Sequence, residues 1–221
     1  MASPSPKITA RLQFDGNAGH PGPAPNGRQL PTVAFVLDSA DASGNPDRLY
    51  ISTNADGNAI VVAGYPPGRY RVRVPNSPQG WMFKAAMLNG VDVSDTPFDL
   101  KGDVADLTLV FTDRWSGVGG TVQGAGRDGA AVLVFPTDTQ RWSGPAANPR
   151  RFRLARTDAN GEFGLSSLPP GDYYVVAVPD EQAADWRDPA ALDSFARVAT
   201  ELTVFEGEHK AITLQLKQVR Q

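Results

Sequence analysis

The chain carries the same turn-and-strand pattern twice. The first copy is TNADGNAIVVAGYPPGRYRVRV at residues 53–74, and the second is TDANGEFGLSSLPPGDYYVVAV at residues 157–178. Further along the chain, VADLTLVF at 104–111 has a counterpart in KAITLQLK at 210–217. A spacing of about 100 residues is much longer than the periods of solenoid repeats, so it indicates two copies of a whole domain. The sequence therefore predicts two domains, over residues 1–113 and 116–221.

Each copy alternates strand-like runs with glycine turns. Gly57 follows an aspartate and Gly161 an asparagine, and such pairs supply the positive φ of a tight hairpin turn. Pro-Pro-Gly, at 66–68 and 169–171, indicates a second turn, in which proline fixes φ and glycine permits a left-handed conformation. The runs between these turns alternate apolar and polar residues and are rich in β-branched and aromatic types, which favours strands.

The spacing of these runs is typical of an all-β fold. We expect two tandem seven-stranded Greek-key β-sandwiches, with one short helix in the second domain. The strands of the first domain are predicted at 7–14, 31–38, 47–53, 58–63, 68–74, 81–88 and 104–112. Those of the second are predicted at 117–123, 130–136, 150–157, 161–167, 171–178, 200–205 and 210–217. The helix is expected near 188–195, because Asp188 is a good N-cap and Pro189 suits the first helical position.

Composition narrows the classes of function. The net charge is −3 and there is no long basic run, so nucleic-acid binding is not expected. The chain has no apolar stretch of about 18 residues, so membrane insertion is not expected either. It contains no cysteine, which excludes disulfides, zinc–thiolate sites and cysteine nucleophiles. The opening residues, MASPSPKITARL, lack the pattern of a signal peptide, and none is expected in this chain.

The sequence predicts no catalytic centre, no cofactor and no metal site. His20 and His209 are the two histidines, and neither belongs to a catalytic motif. A hydrolase with carboxylates spread over loops is the remote alternative, because sequence cannot place two carboxylates at a catalytic separation. The segment DANG at 158–161 is similar to the start of a calcium loop. Its glycine comes too early for that loop, so we expect a turn.

Four segments together resemble a known domain family. They are GTV at 120–122, TDANGEF at 157–163, LPPGDY at 168–173 and DWRDP at 185–189. This pattern resembles the carboxypeptidase regulatory-like domain, which is similar to transthyretin-like and collagen-adhesin B-type sandwiches. The pairing of two such domains looks like exported bacterial proteins that carry them in tandem. The resemblance implies an accessory module without a catalytic centre and an extracytoplasmic location, meaning secreted, periplasmic or at the cell surface.

These observations favour a non-catalytic structural or interaction module of a bacterial surface or secreted protein. Such a module acts as a spacer, an assembly subunit or a protein-binding scaffold. Its partner would be another protein or a second copy, bound through edge strands whose free N–H and C=O groups accept a further strand. The alternative is a carbohydrate-binding module that uses loop aromatics, with a polysaccharide as its partner.

The candidate ligand-binding residues lie around two tryptophans. Trp142 belongs to the long loop 138–150 and has Gln140, Arg141 and Asn148 near it, so we expect a stacking surface with polar neighbours that reach sugar hydroxyls. Trp186 is the second candidate.

The competing interpretation is burial, since tryptophan side chains are usually mostly buried. Under it, Trp81 belongs to the first core and Trp115 lies at the hinge between the domains. Trp186 would then be a cap beneath the predicted helix.

Overall fold

The structure is a computed structural model of the chain. It describes residues 5–19, 21, 33–40, 50–53, 59–125, 129–142, 149–184 and 186–219. The chain divides into two compact units, Met1–Arg114 and Trp115–Gln221, and each contains a hydrophobic core of its own. The division lies next to the boundary that the repeat predicted.

The first unit is a sandwich of a larger and a smaller sheet. Its described strands are β1 (Lys7–Phe14), β2 (Ala34–Ser39), β3 (Tyr50–Thr53), β4 (Ala59–Ala63), β5 (Gly68–Asn76), β6 (Met82–Leu88), β7 (Val91–Asp92), β8 (Phe98–Leu100) and β9 (Val104–Thr112). The larger sheet has the order β3-β4-β1-β9-β6-β7, and the smaller has the order β2-β5-β8. Apolar side chains from both sheets, among them Ile8, Leu37 and Leu109, are fully buried between them.

The second unit is a seven-stranded sandwich with one helix. Its strands are β10 (Gly117–Gln123), β11 (Ala131–Pro136), β12 (Arg153–Arg156), β13 (Glu162–Ser166), β14 (Gly171–Val178), β15 (Thr200–Val204) and β16 (His209–Gln215). They form sheets of order β13-β10-β16 and β12-β11-β14-β15. The helix α1 is Pro189–Ala196, and the Asp188 side chain caps it by accepting from the Ala190 N–H. The predicted all-β fold with one short helix is confirmed, although β7 and β8 of the first unit were not predicted.

The two units share the same central strand pairing. In the first unit, β1 is antiparallel to β4 and parallel to β9. In the second, β10 is antiparallel to β13 and parallel to β16. The pairs β2–β5 and β11–β14 are likewise both antiparallel. The repeated sequence pattern thus corresponds to a repeated pattern of hydrogen-bonded strands.

The Pro-Pro-Gly turns position a buried tyrosine in each unit. The Tyr70 hydroxyl donates to the Pro66 carbonyl at 2.9 Å, and the Tyr173 hydroxyl donates to the Pro169 carbonyl at 2.6 Å. Gly171 has a positive φ of 150°, but Gly68 does not take a positive φ, so the predicted left-handed glycine is wrong there. At the first turn a Cβ would stand 3.2 Å from the Tyr70 ring, so the glycine leaves room for that ring instead.

The Asp158 segment forms a turn. One oxygen of its carboxylate accepts from the N–H groups of Asn160 and Glu162, at 2.9 and 2.8 Å. Gly161 takes a positive φ of 80° within the same turn. An aspartate that bonds the backbone a few residues ahead stabilises the turn itself, so the turn interpretation is confirmed. The corresponding residues 54–57 of the first copy lie outside the described residues.

A second apolar layer covers the outer face of the four-stranded sheet in the second unit. Leu192 and Phe195 of α1 are buried there against Leu133 and Phe135 of β11. Every residue of β11 is buried, because this strand packs against the sandwich core on one face and against the helical layer on the other. A strand buried on both faces is expected to be continuously apolar, as AVLVFP is. Within the described ranges, no helix has the length and hydropathy needed to span a bilayer.

Candidate functional site

Trp142 is buried rather than exposed. Its side chain is 8% exposed, and its Nε1–H donates to the Pro136 carbonyl at 2.7 Å. The indole ring packs edge-on against Phe135, with ring centroids 5.7 Å apart. An indole that is enclosed by the core, with its N–H satisfied, has no face free for stacking on a sugar. The expected exposed surface at Trp142 is therefore corrected, and the residue belongs to the second apolar layer.

Trp186 is buried in the same layer. It is 7% exposed and lies 6.1 Å from the ring of Phe152. The guanidinium carbon of Arg187 lies 5.3 Å from its ring centroid, as in a cation–π contact. Trp186 thus caps the core beside the helix.

The other two tryptophans were predicted to have structural roles. Trp81 is 3% exposed and belongs to the first core, as predicted. Trp115 is half-buried in the second unit, and its hinge role stays a prediction.

The polar candidates have different positions. Gln140 and Arg141 belong to a short 3-10 turn, Thr139–Arg141, which begins at Asp138. One Asp138 oxygen accepts from the Gln140 N–H at 3.0 Å, and the other accepts from the Arg141 Nε–H at 3.2 Å. Gln140 is exposed, whereas Arg141 lines a cavity. Asn148 lies outside the described residues, and the ligand-binding role of this group stays a prediction.

The cavity has a volume of about 330 Å³ and is lined by side chains of both charges. Its walls include Asp138, Arg141, Arg151 and Asp172, with Thr137 also present. Sequence reasoning did not identify Arg151 or Asp172, because Arg151 ends a 3-10 turn and Asp172 lies at the start of β14, and only the fold brings them to one cavity. A cavity of this size falls within the usual range of small-molecule sites.

The charged groups of the cavity are held by hydrogen bonds. Arg151 Nη1 donates to the Pro170 carbonyl at 3.0 Å and to the Tyr173 hydroxyl at 2.9 Å. Asp172 Oδ1 accepts from the Thr203 hydroxyl at 2.6 Å. A guanidinium and a carboxylate that line the same cavity, each held by hydrogen bonds, present both donors and acceptors. This chemistry suits the binding of a polar ligand through hydrogen bonds.

The edge strand β16 offers a different kind of site. Among the described residues, β16 itself pairs with β10 on one side and with no named strand on the other. Directly after β16, that other side is taken by β14: Ala177 forms a parallel bridge with Leu216, and its carbonyl accepts from the Lys217 N–H at 2.8 Å. The Gly117 N–H donates to the Glu208 carbonyl, and the Leu216 N–H donates to the Gln123 carbonyl, both at 2.9 Å. In this ladder the even-numbered residues of β16 bond to β10. The N–H and C=O groups of Ala211 and Thr213 therefore point towards the open edge.

The first unit has a strand at the corresponding edge. There β9, the counterpart of β16, pairs with β1 on one side and with the antiparallel strand β6 on the other. In the second unit, the segment after β14 forms a 3-10 turn (Asp180–Ala183) and α1 instead of such a strand. The segment that would otherwise form a strand beside β16 thus forms part of the helical layer. Among the described residues, the edge is therefore without a paired strand from His209 to Thr213, ahead of the bridge between Leu216 and Ala177.

Apolar surface lies beside the open edge. Phe205, in the turn before β16, is 62% exposed, and Ile212 on the inner face of β16 is half-buried. Glu208 holds this turn: one carboxylate oxygen accepts from the Phe205 N–H at 3.0 Å, and the other pairs with Lys210 Nζ at 2.9 Å. The N–H of Phe205, followed by Lys210, lowers the pKa of Glu208 below its ordinary value. The carboxylate form is therefore favoured, and Phe205 stays beside the edge.

Other edge strands are shorter or protected. In β2, the Leu37 N–H donates to the buried Tyr65 hydroxyl at 2.7 Å, and the register shifts between Ala34 and Val36. The strands β7 and β8 have two and three residues, and β12 has four. Such short, irregular edges resist the addition of a strand. With seven residues, β16 is the longest edge strand in the described part of the chain.

Known proteins offer only distant comparisons. No protein-family model matches the sequence, and no curated protein matches it. The Bacillus anthracis TIE protein is 16% identical, with a TM-score of 0.31 over 97% of this chain and 34% of that protein. A streptococcal ancillary pilin is 15% identical, with a TM-score of 0.33 over 97% of this chain and 63% of the pilin. GBS52, the minor pilin of Streptococcus agalactiae, is 12% identical, with a TM-score of 0.36 over 98% of both chains.

These similarities are too weak to assign a family or a function. Their TM-scores are below 0.5 and their identities are below 25%. This chain spans about a third of the Bacillus anthracis protein and less than two thirds of the streptococcal ancillary pilin. Membership of the carboxypeptidase regulatory-like family stays a prediction.

Proposed function

We propose that the protein is a non-catalytic interaction and structural module that binds another polypeptide at the open edge of β16. The observation that carries this proposal is the side of β16 that, among the described residues, has no paired strand from His209 to Thr213. The exposed Phe205 lies in the turn before this strand. The sequence resemblance supports a place in a bacterial surface or secreted protein.

Strand addition follows from the chemistry of such an edge. Unpaired N–H and C=O groups form hydrogen bonds with an extended peptide, and these main-chain bonds provide affinity. Natural proteins usually block long, regular edges because they attract other chains. The outward side chains Ala211 and Thr213 are uncharged, and Thr213 is β-branched, so they do not block a neighbouring strand. Lys210, the charged residue of β16, lies near its start and is paired with Glu208. The regular stretch from Ala211 to Thr213 carries no charge, which fits a binding role.

A peptide-display experiment tests the proposal. Random nine-residue peptides would be selected on the full chain and compared on Thr213→Pro and Thr213→Val. Proline removes the N–H that points to the open edge and is tolerated in edge strands, whereas valine keeps that N–H. We expect the selected peptides to bind Thr213→Val like the wild type and to bind Thr213→Pro about tenfold more weakly.

Hydrogen exchange provides the independent readout. Bound peptide should slow the exchange of the Ala211 and Thr213 amides in the wild-type chain, which does not depend on how well Thr213→Pro folds. Either of two results would contradict the proposal: no peptide is enriched on the wild type, or enriched peptides leave these two amides unprotected.

A second candidate function is the binding of a carbohydrate in the cavity. The charged walls of this 330 Å³ cavity favour it, since guanidinium and carboxylate groups hydrogen-bond sugar hydroxyls. If it is correct, a glycan array should show binding to the full chain and about a tenfold loss for Arg141→Ala. The control Arg197→Ala removes an exposed arginine of the second unit that lies after α1, and it should bind normally. Absence of binding to every glycan would remove this candidate.

A further inference from the structure

We infer that the strand bound at β16 runs antiparallel to it and carries apolar side chains at alternate positions, as β6 does beside β9. This inference rests on the proposed function and specifies the chemistry of the partner. The occupant is an extended segment of a different polypeptide.

The first unit shows how this edge is covered. The strand β6 is antiparallel to β9, with Ala86 opposite Leu109 and Leu88 opposite Leu107. Directly opposed residues point to the same face of a sheet, so Ala86 and Leu88 face the core with their partners. Leu107 and Leu109 are both 0% exposed. An apolar antiparallel strand thus completes the burial of this part of the first core.

In the described part of the second unit, no strand gives β16 this burial. The inner positions on β16 are Ile212, opposite Gly120, and Leu214, opposite Val122. Leu214 is 4% exposed, but Ile212 is only half-buried, and Phe205 beside the edge is 62% exposed. A strand with apolar side chains on its inner face would cover Ile212. Because burial of apolar area from water is favourable, we expect apolar residues at the inner positions of the bound strand.

The same positions argue against a second copy as the occupant. Lys210 also lies on the inner face of β16, and its ammonium group pairs with Glu208. If two copies of β16 paired antiparallel about Ile212, each Lys210 would stand opposite Leu214 of the other copy. A charge opposite an apolar side chain covers the open core poorly. A foreign strand with uninterrupted apolar alternation covers it better.

A peptide with the sequence of residues 81–89, WMFKAAMLN, is the probe for this inference. Its binding to the full chain would be measured by fluorescence anisotropy, and its position by hydrogen exchange. We expect protection within residues 209–213 and about a tenfold weaker binding for a peptide with Leu88→Ser, a residue that lies on the inner face opposite Leu107 in the first unit. A control peptide with Met87→Ser, on the opposite face, should bind like the original.

Cross-linking determines the direction of the strand. The chain has no cysteine, so one can be added at a chosen end of β16. A peptide with an added N-terminal cysteine should form a disulfide with Thr213→Cys, at the end of the free edge, and not with His209→Cys. The reverse preference would show parallel binding and overturn the inference. Equal binding of the serine-substituted peptide, or dimers of the free chain that protect residues 209–215, would also overturn it.

Failure of the inference and failure of the proposed function give different results. If displayed peptides bind the edge without apolar alternation, the inference is wrong and the proposed function remains. If no displayed peptide protects Ala211 and Thr213, the proposed function itself is wrong.

Discussion

Gly120→Ala is expected to unfold the second unit, whereas Gly164→Ala should leave it folded. Gly120 lies in the central strand β10 with a positive φ of 149°, a conformation that side chains rarely adopt. A Cβ there would overlap the carbonyl oxygen of Ile212 and come within 2.8 Å of its carbonyl carbon. These are backbone atoms of β16, so they cannot move aside unless the pairing of the two strands breaks. We expect a loss of about 4 kcal/mol or more in the free energy of unfolding.

Gly164 provides the matched control, because it lies on the other neighbour of β10. A Cβ at Gly164 meets no atom within 4 Å, and its φ is not positive. Denaturant unfolding with hydrogen exchange would show which unit loses protection. Equal midpoints for the two variants would contradict the prediction. Since β16 carries the open edge, Gly120→Ala should also abolish peptide binding there.

The local structure of the second unit follows closely from its sequence. The strands at 117–123 and 171–178 have their predicted bounds, and α1 begins directly after its predicted N-cap, Asp188. These elements have strong local signals, namely alternation, turn glycines and a capping residue. Strands β7 and β8 have two and three residues, too few to show a period, and only their tertiary pairing defines them.

The candidate site was harder to predict, because it depends on how elements pack. Trp142 lies in a polar segment and was the leading candidate for an exposed stacking surface, with burial as the competing interpretation. It covers Phe135 on the outer face of β11. A signal for this was present: the continuous apolar run AVLVFP at 131–136 indicates a strand buried on both faces, which needs a covering layer.

The open edge also had a signal in the sequence. After the third strand of the repeated pattern, the first copy continues with a predicted strand at 81–88 and the second with a predicted helix near 188–195. The helix is thus a signal that the second copy differs at this place. Because seven strands are predicted in each copy, the comparison does not show that an edge is left open, which depends on the pairing of β6 with β9.

Phe135→Ala should cost about 3–5 kcal/mol of unfolding free energy in the second unit. Phe135 is 0% exposed, and its ring lies 5.7 Å from that of Trp142 and 5.6 Å from that of Tyr174. Its removal leaves a cavity between β11 and the layer that covers it. Phe205→Ala removes the same side chain from a position that is 62% exposed and should change stability by about 0.5 kcal/mol or less.

The position of Phe135 also links stability to the cavity. Trp142 bonds to Pro136 and directly follows Arg141, and both Pro136 and Arg141 line the cavity. Loss of the Phe135 ring should therefore loosen Trp142 and shift its fluorescence towards longer wavelength, an effect that Phe205→Ala should lack. Denaturant titration gives the free energy of unfolding of each variant. Emission spectra of the folded variants report whether the Trp142 indole becomes more exposed to water. If Phe135→Ala and Phe205→Ala lost similar amounts of unfolding free energy, the outer layer would contribute little to the stability of the second unit. That result would contradict the burial of β11 on both faces.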